Sequence, residues 1–184
     1  MLSAISVWAQ KQGPTIVFEK RHGKIMRIEK YKSIEVVSEK SFTIPIYAIN
    51  EETLFRLEPY MTTYIKNNML KLVSGFMGRK RKYFDFDKLK YLAVDCYFDK
   101  NTLELKEITY RISPESISRH TTLGDLTDEI KTEGNLSINK SFRDRKRVFN
   151  ADLSKYAAKY YRFSFFIWDR DLKPYLSGKE RKNK

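Results

Sequence analysis

The sequence predicts an α+β fold in which an antiparallel sheet packs against one long helix and two or three short ones. Three observations predict it. Apolar and polar residues alternate through much of the first 50 positions, with the period of two that strands have. Apolar residues then recur in steps of three and four between positions 51 and 77, which is the period of a helix face. Aromatic, alternating segments return later in the chain, as expected for further strands.

The first third of the chain predicts a β-meander of four or five strands. These segments are rich in Ile, Val, Phe and Thr, which favour strands. His22 and Gly23 predict a tight hairpin turn, because glycine accepts a positive φ at little cost. The expected strands cover 3–10, 15–20, 24–31, 33–38 and 41–48.

The segment 51–77 predicts a long helix. Asn50 is a suitable N-cap, and Gly78 is a natural stop. Pro59 lies inside the segment, where its ring and missing N–H predict a kink, or a split with the second piece starting near Tyr60. The stripe expected to pack on the sheet includes Leu57, Met61, Ile65, Met69 and Leu72.

The middle of the chain predicts a β-hairpin and three short helical pieces. Strands are expected over 91–98 and 102–112, joined by a turn over 99–101. Ser113-Pro114-Glu115 resembles a helix start with proline near the first position. A second helix is expected from Thr122 to Gly134, with Asp125 completing a capping box. A third is expected over 150–159, where Ala157 and Ala158 favour it.

The last segments predict a further strand over 135–142 and another over 160–168. Aromatic residues on both faces of the last strand predict a central place in the sheet. We expect one domain over 1–178, followed by a charged, flexible tail over 179–184.

The charge of the chain indicates an anionic partner. The chain has 36 lysines and arginines against 23 acidic residues, a net charge of +13, and the excess clusters in runs. Such a balance attracts phosphate, on nucleic acid or on an anionic membrane. The alternative is that the charge serves solubility alone.

The composition also predicts a compartment. Cys96 is the single cysteine, which excludes an internal disulfide and suits a reducing environment. The chain shows neither a basic leader region nor an apolar stretch of membrane-spanning length. We therefore expect a cytoplasmic protein, or a nuclear one in a eukaryotic host.

The first basic run predicts a contact with nucleic acid. It comprises Arg79, Lys80, Arg81 and Lys82, and Tyr83 follows it. Four consecutive like charges repel one another, which favours an external anion, and a neighbouring aromatic ring can stack on a base. The alternatives are cations that cap the end of the long helix, a solvated loop, or a nuclear localisation signal.

The second basic run predicts a row of phosphate contacts. Arginine suits phosphate better than lysine, because its planar fork binds two oxygens. In an extended segment, alternate arginines share one side at a spacing of about 7 Å. The alternative is a solvated loop paired with local acids. The predicted contacts are Phe142, Arg143, Arg145, Lys146 and Arg147.

Asp95, Glu104 and Lys106 form the one pattern with catalytic character. Their order, Asp…Glu-x-Lys on consecutive strands, resembles the signature of the PD-(D/E)XK nuclease superfamily. The resemblance implies that the acids hold a divalent metal and that the lysine positions or activates water. A turn centred between Asp99 and Lys100 would place Asp95 opposite Glu104. The alternative, which we favour, is a salt-bridged solvent face of the hairpin.

The sequence therefore predicts a non-catalytic, nucleic-acid-binding accessory protein of replication, transfer or packaging machinery, of a viral or mobile-element type, without a metal or cofactor. The chain contains neither a Walker loop nor a G-x-G-x-x-G motif, which argues against nucleotide hydrolysis and dinucleotide cofactors. One alternative is a structural or matrix-type protein that binds anionic membrane and associates with itself or a protein partner. The other is the metal-dependent nuclease that uses Asp95, Glu104 and Lys106.

Overall fold

The computed structural model describes residues 13–40, 59–99, 104–132 and 160–176. They form an α+β fold, as the sequence predicts. Two 3-10 turns, Arg81–Tyr83 and Pro114–Ser116, connect longer elements. Those elements are β1 (Thr15–Arg21), β2 (Lys24–Lys30), β3 (Glu35–Glu39), α1 (Pro59–Arg79), β4 (Tyr91–Asp99), β5 (Leu105–Ile112), α2 (Thr121–Glu129), β6 (Tyr160–Trp168) and α3 (Asp169–Leu176).

The described strands form one antiparallel sheet in the order β1-β2-β3-β5-β4-β6. The first three strands correspond to the strands predicted over 15–20, 24–31 and 33–38 of the meander. The turn between β1 and β2 holds His22 at φ 46° and Gly23 at φ 80°, the pair of positive angles that matches the twist of a two-residue hairpin. The strands predicted over 3–10, 41–48 and 135–142 and the helix over 150–159 lie outside the described residues.

Helix α1 differs from the prediction at its start. Pro59 is its first described residue, and 51–58 lie outside the described residues, so a long helix kinked at this proline is not supported. A proline suits the first helical turn because its missing N–H would have no partner there. None of the described helices is long and apolar enough to cross a membrane.

The two faces of the sheet have different roles because side chains alternate along each strand. We call one the helix face: Ile28, Val37 and Tyr110 point there and are at most 3 % exposed. Helices α1 and α2 supply further members of the same core, which include Met69, Val73, Phe76, Met77, Leu123 and Leu126. We call the opposite side, on which none of the described helices packs, the open face.

The position of β6 corrects one prediction. Aromatics on both of its faces suggested a central strand, but β6 is the outermost described strand on its side of the sheet. Phe165 and Ile167 point to the helix face and are buried, whereas Phe166 and Trp168 on the open face are 39 % and 41 % exposed. The aromatic residues on the second face of β6 are therefore exposed and do not form a second core.

Candidate anion-binding site

Three segments that are distant in sequence meet around Tyr83. They are the end of β1 with its hairpin turn, the turn after α1, and the loop before α2. Together they enclose a cavity of about 130 Å³, which we call the basic pocket. Its lining residues are Arg21, His22, Lys24, Lys80, Tyr83, Arg119, Thr121, Thr122 and Asp125.

Tyr83 organises the cations of this site. The Arg119 guanidinium lies 4.2 Å from the centre of the Tyr83 ring, and the Lys82 ammonium lies 5.0 Å from it. Both distances allow attraction between a cation and the ring face. A hydrogen bond from Lys82 lowers the pKa of the Tyr83 hydroxyl, and the charges of Arg119 and Arg21 act in the same direction. The cations around Tyr83 therefore favour the ionised form of its hydroxyl.

Most of these cations have no counter-ion among the described residues. Within the described ranges, no carboxylate lies within ion-pair distance of Arg21, Lys80, Lys82 or Arg119. Lys24 is different, because it pairs with Asp125 at 3.6 Å and also with Asp128 on α2. The pocket thus concentrates positive charge that the described residues do not neutralise.

Glu19 on β1 holds the loop that carries Arg119. Its carboxylate accepts hydrogen bonds from the backbone N–H of His120 at 2.9 Å and of Thr121 at 3.1 Å. Burial acts to raise the pKa of Glu19, but these bonds and those from the two side chains outweigh it, and the pKa is lowered. The other ring nitrogen of His120 lies 2.6 Å from a carboxylate oxygen of Glu35. Arg119 is therefore placed by a network anchored in the sheet.

This network also corrects the predicted cap of α2. The helix starts at Thr121, and the residue before it makes no side-chain cap to the helix. The predicted cap involving Thr122 and Asp125 is therefore wrong. Glu19, about a hundred residues earlier, provides the acceptors instead.

The structure gives the residues of the first basic run different roles. Arg79 pairs with Glu129 of α2 at 2.5 Å, so it serves to join two helices. Lys80 lines the pocket, and Lys82 lies over Tyr83. Arg81 is exposed at the start of the 3-10 turn. The second run, 142–147, lies outside the described residues.

Sequence reasoning named Lys80 and Tyr83 as site residues but missed the other seven lining residues, among them Arg21, His22 and Arg119. Arg21 and His22 were assigned only to a hairpin, and Arg119 lies between two short helical pieces. No spacing in the sequence connects them to Tyr83. Their convergence depends on how the loop before α2 docks against β1, which local patterns do not encode.

The nuclease-like residues do not come together. Asp95 pairs across the strands with Thr109, not with Glu104. The backbone N–H of Asp99 bonds the carbonyl of Glu104 at 2.9 Å, so Asp95 is about 13 Å further along its strand. The register also shifts by a bulge between Tyr97 and Phe98. The predicted Asp95–Glu104 pair is therefore wrong.

The two carboxylates have different partners. Asp95 is 4 % exposed and accepts hydrogen bonds from Arg111 at 3.1 Å and from Ser164. Glu104 pairs with the exposed Lys106 at 2.5 Å, and this hydrogen bond raises the pKa of the lysine. Among the residues that the structure describes, no three His, Cys, Asp or Glu side chains form a group that could hold a metal ion.

The fold and the pocket define a class: an α+β protein with helices on one side of an antiparallel sheet and a basic pocket at one edge. No family model and no curated protein matches the sequence. Among solved structures, the chain is similar to a DUF5043 family protein from Bacteroides uniformis ATCC 8492. The TM-score is 0.53 and the identity 8 %, over 87 % of this chain and 95 % of that one. At that identity, the likeness concerns the fold alone.

Proposed function

We propose that this protein binds nucleic acid through the basic pocket and acts as a non-catalytic accessory protein. One observation carries the proposal: Arg21, Lys80, Lys82 and Arg119 converge around Tyr83 with no carboxylate in ion-pair range in the described parts of the chain. Clustered cations repel one another, and phosphates relieve that repulsion while releasing their own counterions.

The shape of the site favours nucleic acid over a membrane surface. Proteins that lie on membranes through a helix present a broad apolar face bordered by cations. Here the cations surround a concave pocket and an aromatic ring, which suits a phosphate with a neighbouring base. Binding to anionic lipid is therefore the alternative that the test must separate.

The single cysteine does not provide a reactive thiol. Cys96, the single cysteine, is buried, and burial raises the pKa of its thiol above its usual range. A protonated, inaccessible thiol is inert. We also propose that the protein works in the cytoplasm, a reducing compartment.

The test is the salt dependence of binding, measured by fluorescence anisotropy with labelled single- and double-stranded oligonucleotides. The site variant combines Lys80→Gln, Lys82→Gln and Arg119→Gln. Loss of three phosphate contacts should reduce the slope of log affinity against log salt by about 2 to 3 units.

The matched control removes the same charge elsewhere. It combines Lys32→Gln, Lys71→Gln and Lys90→Gln, three exposed lysines for which the described chain offers no ion pair. The control should keep the wild-type slope. Equal weakening of both variants would show diffuse attraction and contradict the proposal, as would strong sedimentation with anionic vesicles without oligonucleotide binding.

A further inference from the structure

Three aromatic rings form an exposed cluster on the open face, which we call the aromatic platform. Tyr91 of β4 lies 6.0 Å from Phe166 and 5.8 Å from Trp168, measured between ring centres. Phe166 and Trp168 are 39 % and 41 % exposed. Large apolar side chains exposed side by side are unusual enough to suggest a ligand or partner.

Charged and polar side chains hold the platform in place. Arg111 and Phe166 flank Ala93 on the two neighbouring strands, and the Arg111 guanidinium reaches over to lie 5.6 Å from the Phe166 ring centre. Asp95 fixes that guanidinium at 3.1 Å. This contact holds the Phe166 ring in place before a ligand binds, which lowers the entropy that this ring loses on binding.

Two rings of the platform suit a flat ligand. Phe166 and Trp168 are inclined by only 20°, with their centres 6.1 Å apart. Both rings are partly exposed, so they present nearly parallel ring faces against which a planar ring can stack.

The charge near the platform indicates which flat ligand fits. Arg162 lies on the same side of β6 as Phe166 and Trp168, four residues before Phe166 and about 13 Å away along the strand, and the side chain of Arg111 is 34 % exposed. Aromatic rings beside arginines match a base beside a phosphate. A second copy of this +13 chain would bring like charge to the same surface, which argues against self-association.

We infer that the aromatic platform stacks unpaired bases, so that the nucleic acid bound is single-stranded. This inference rests on the proposed function. The bases of a duplex are stacked inside it and cannot reach a flat protein surface, whereas those of a single strand can. The basic pocket lies against the helix side of β1, whereas the platform lies on the open face of β4 and β6, up to five strand spacings or about 24 Å away across the sheet. A single strand that contacts both sites must therefore pass around an edge of the sheet.

The experiment uses the fluorescence of Trp168. The variant Trp8→Phe removes the other tryptophan of the chain and serves as the parent protein. Three probes are titrated: oligothymidine of roughly 20 nucleotides, longer than typical single-strand sites, its duplex with oligoadenine, and inorganic polyphosphate. Quenching by the single strand, with little by the duplex or by polyphosphate, is the expected result.

A substitution gives a second measurement. In the parent protein, Phe166→Leu should weaken single-strand binding about 5- to 150-fold, the range that one stacking contact supplies, and leave polyphosphate binding unchanged. Phe18→Leu is the matched control, because Phe18 is an exposed ring, 56 % accessible, at the opposite edge of the same open face. It should change neither affinity.

The outcomes separate the two proposals. Oligonucleotide binding without Trp168 quenching, and without an effect of Phe166→Leu, would overturn the platform and leave the basic pocket standing. No binding to any nucleic acid would overturn both. A concentration-dependent mass by light scattering that Phe166→Leu abolishes, with no quenching by oligonucleotide, would assign the platform to self-association and overturn the inference. If circular dichroism shows that Phe166→Leu does not fold, the quenching of Trp168 in the parent protein decides whether the platform binds single strands.

Discussion

Replacing Glu19 by Gln should destabilise the protein, because this one side chain anchors the start of α2. Each carboxylate oxygen accepts two hydrogen bonds. One oxygen accepts from the Thr121 N–H at 3.1 Å and the Thr121 hydroxyl at 2.8 Å. The other accepts from the His120 N–H at 2.9 Å and from His120 Nδ1 at 3.1 Å. In Glu19→Gln an NH2 group replaces one oxygen. Two of the four donor groups would then face this NH2 group, which cannot accept a hydrogen bond.

The magnitude follows from the number of bonds lost and the exposure of the site. A hydrogen bond to a charged group contributes about 1.5 to 3 kcal/mol, and the loss of a helix cap costs about 0.5 to 2 kcal/mol. The Glu19 side chain is 29 % exposed, so water replaces part of the loss. We expect Glu19→Gln to lower the free energy of unfolding by about 2 kcal/mol.

Urea denaturation followed by circular dichroism measures this change. The midpoint should fall with an unchanged slope, since the surface exposed on unfolding stays the same. Glu115→Gln is the matched control, because Glu115 is exposed next to the same loop. A loss below about 0.5 kcal/mol for Glu19→Gln, the range of ordinary surface changes, would refute the reasoning.

The effect should also depend on pH. The pKa of Glu19 in the folded protein is below its ordinary value of 4.5. Its stabilisation is therefore fully present above that value and is lost as the pH falls through the folded pKa. The difference between wild type and Glu19→Gln should shrink in the same range, and a constant difference would contradict the role of the carboxylate.

Two further predictions concern the other charged sites. Asp95→Ala should lower the free energy of unfolding by about 2 kcal/mol, because Arg111 and Ser164 lose their acceptor and the 34 % exposure of the Arg111 side chain lets water replace part of the loss. Adding Arg111→Ala should cost less than the sum of the two single changes, and strict additivity in urea denaturation would contradict an interaction between the two residues. The phenol of Tyr83 should ionise below the usual range of tyrosine, and salt should reduce the shift by screening the nearby cations. The pKa is measured by ultraviolet titration, as the difference between wild type and Tyr83→Phe. An ordinary tyrosine pKa, or a pKa that does not change with salt, would contradict the effect of the nearby cations on Tyr83.

Local elements could be predicted because their signals are local. The turn at His22 and Gly23 needs only two residues that accept positive φ, and β1, β2 and β3 follow as consecutive hairpin strands. The end of α1 was predicted at residue 77 with Gly78 as the stop, two residues before the observed end at Arg79. The helix α3 was missed, although Asp169 and Asp171 lie in its first turn, where acids favour a helix start.

The sequence by itself determined the strands β1, β2 and β3, the helical period of α1 and the net charge of +13. Only the tertiary structure decided which cations share a pocket and which carboxylates meet. Asp95 shows the reason: the pairing of two strands depends on turn length and on a bulge, and a slip of a few residues gives every side chain a new neighbour. Periods of two and 3.6 residues follow from backbone geometry within one segment. The meeting of Arg21, Tyr83 and Arg119 depends on how three segments pack, and packing is a property of the whole fold.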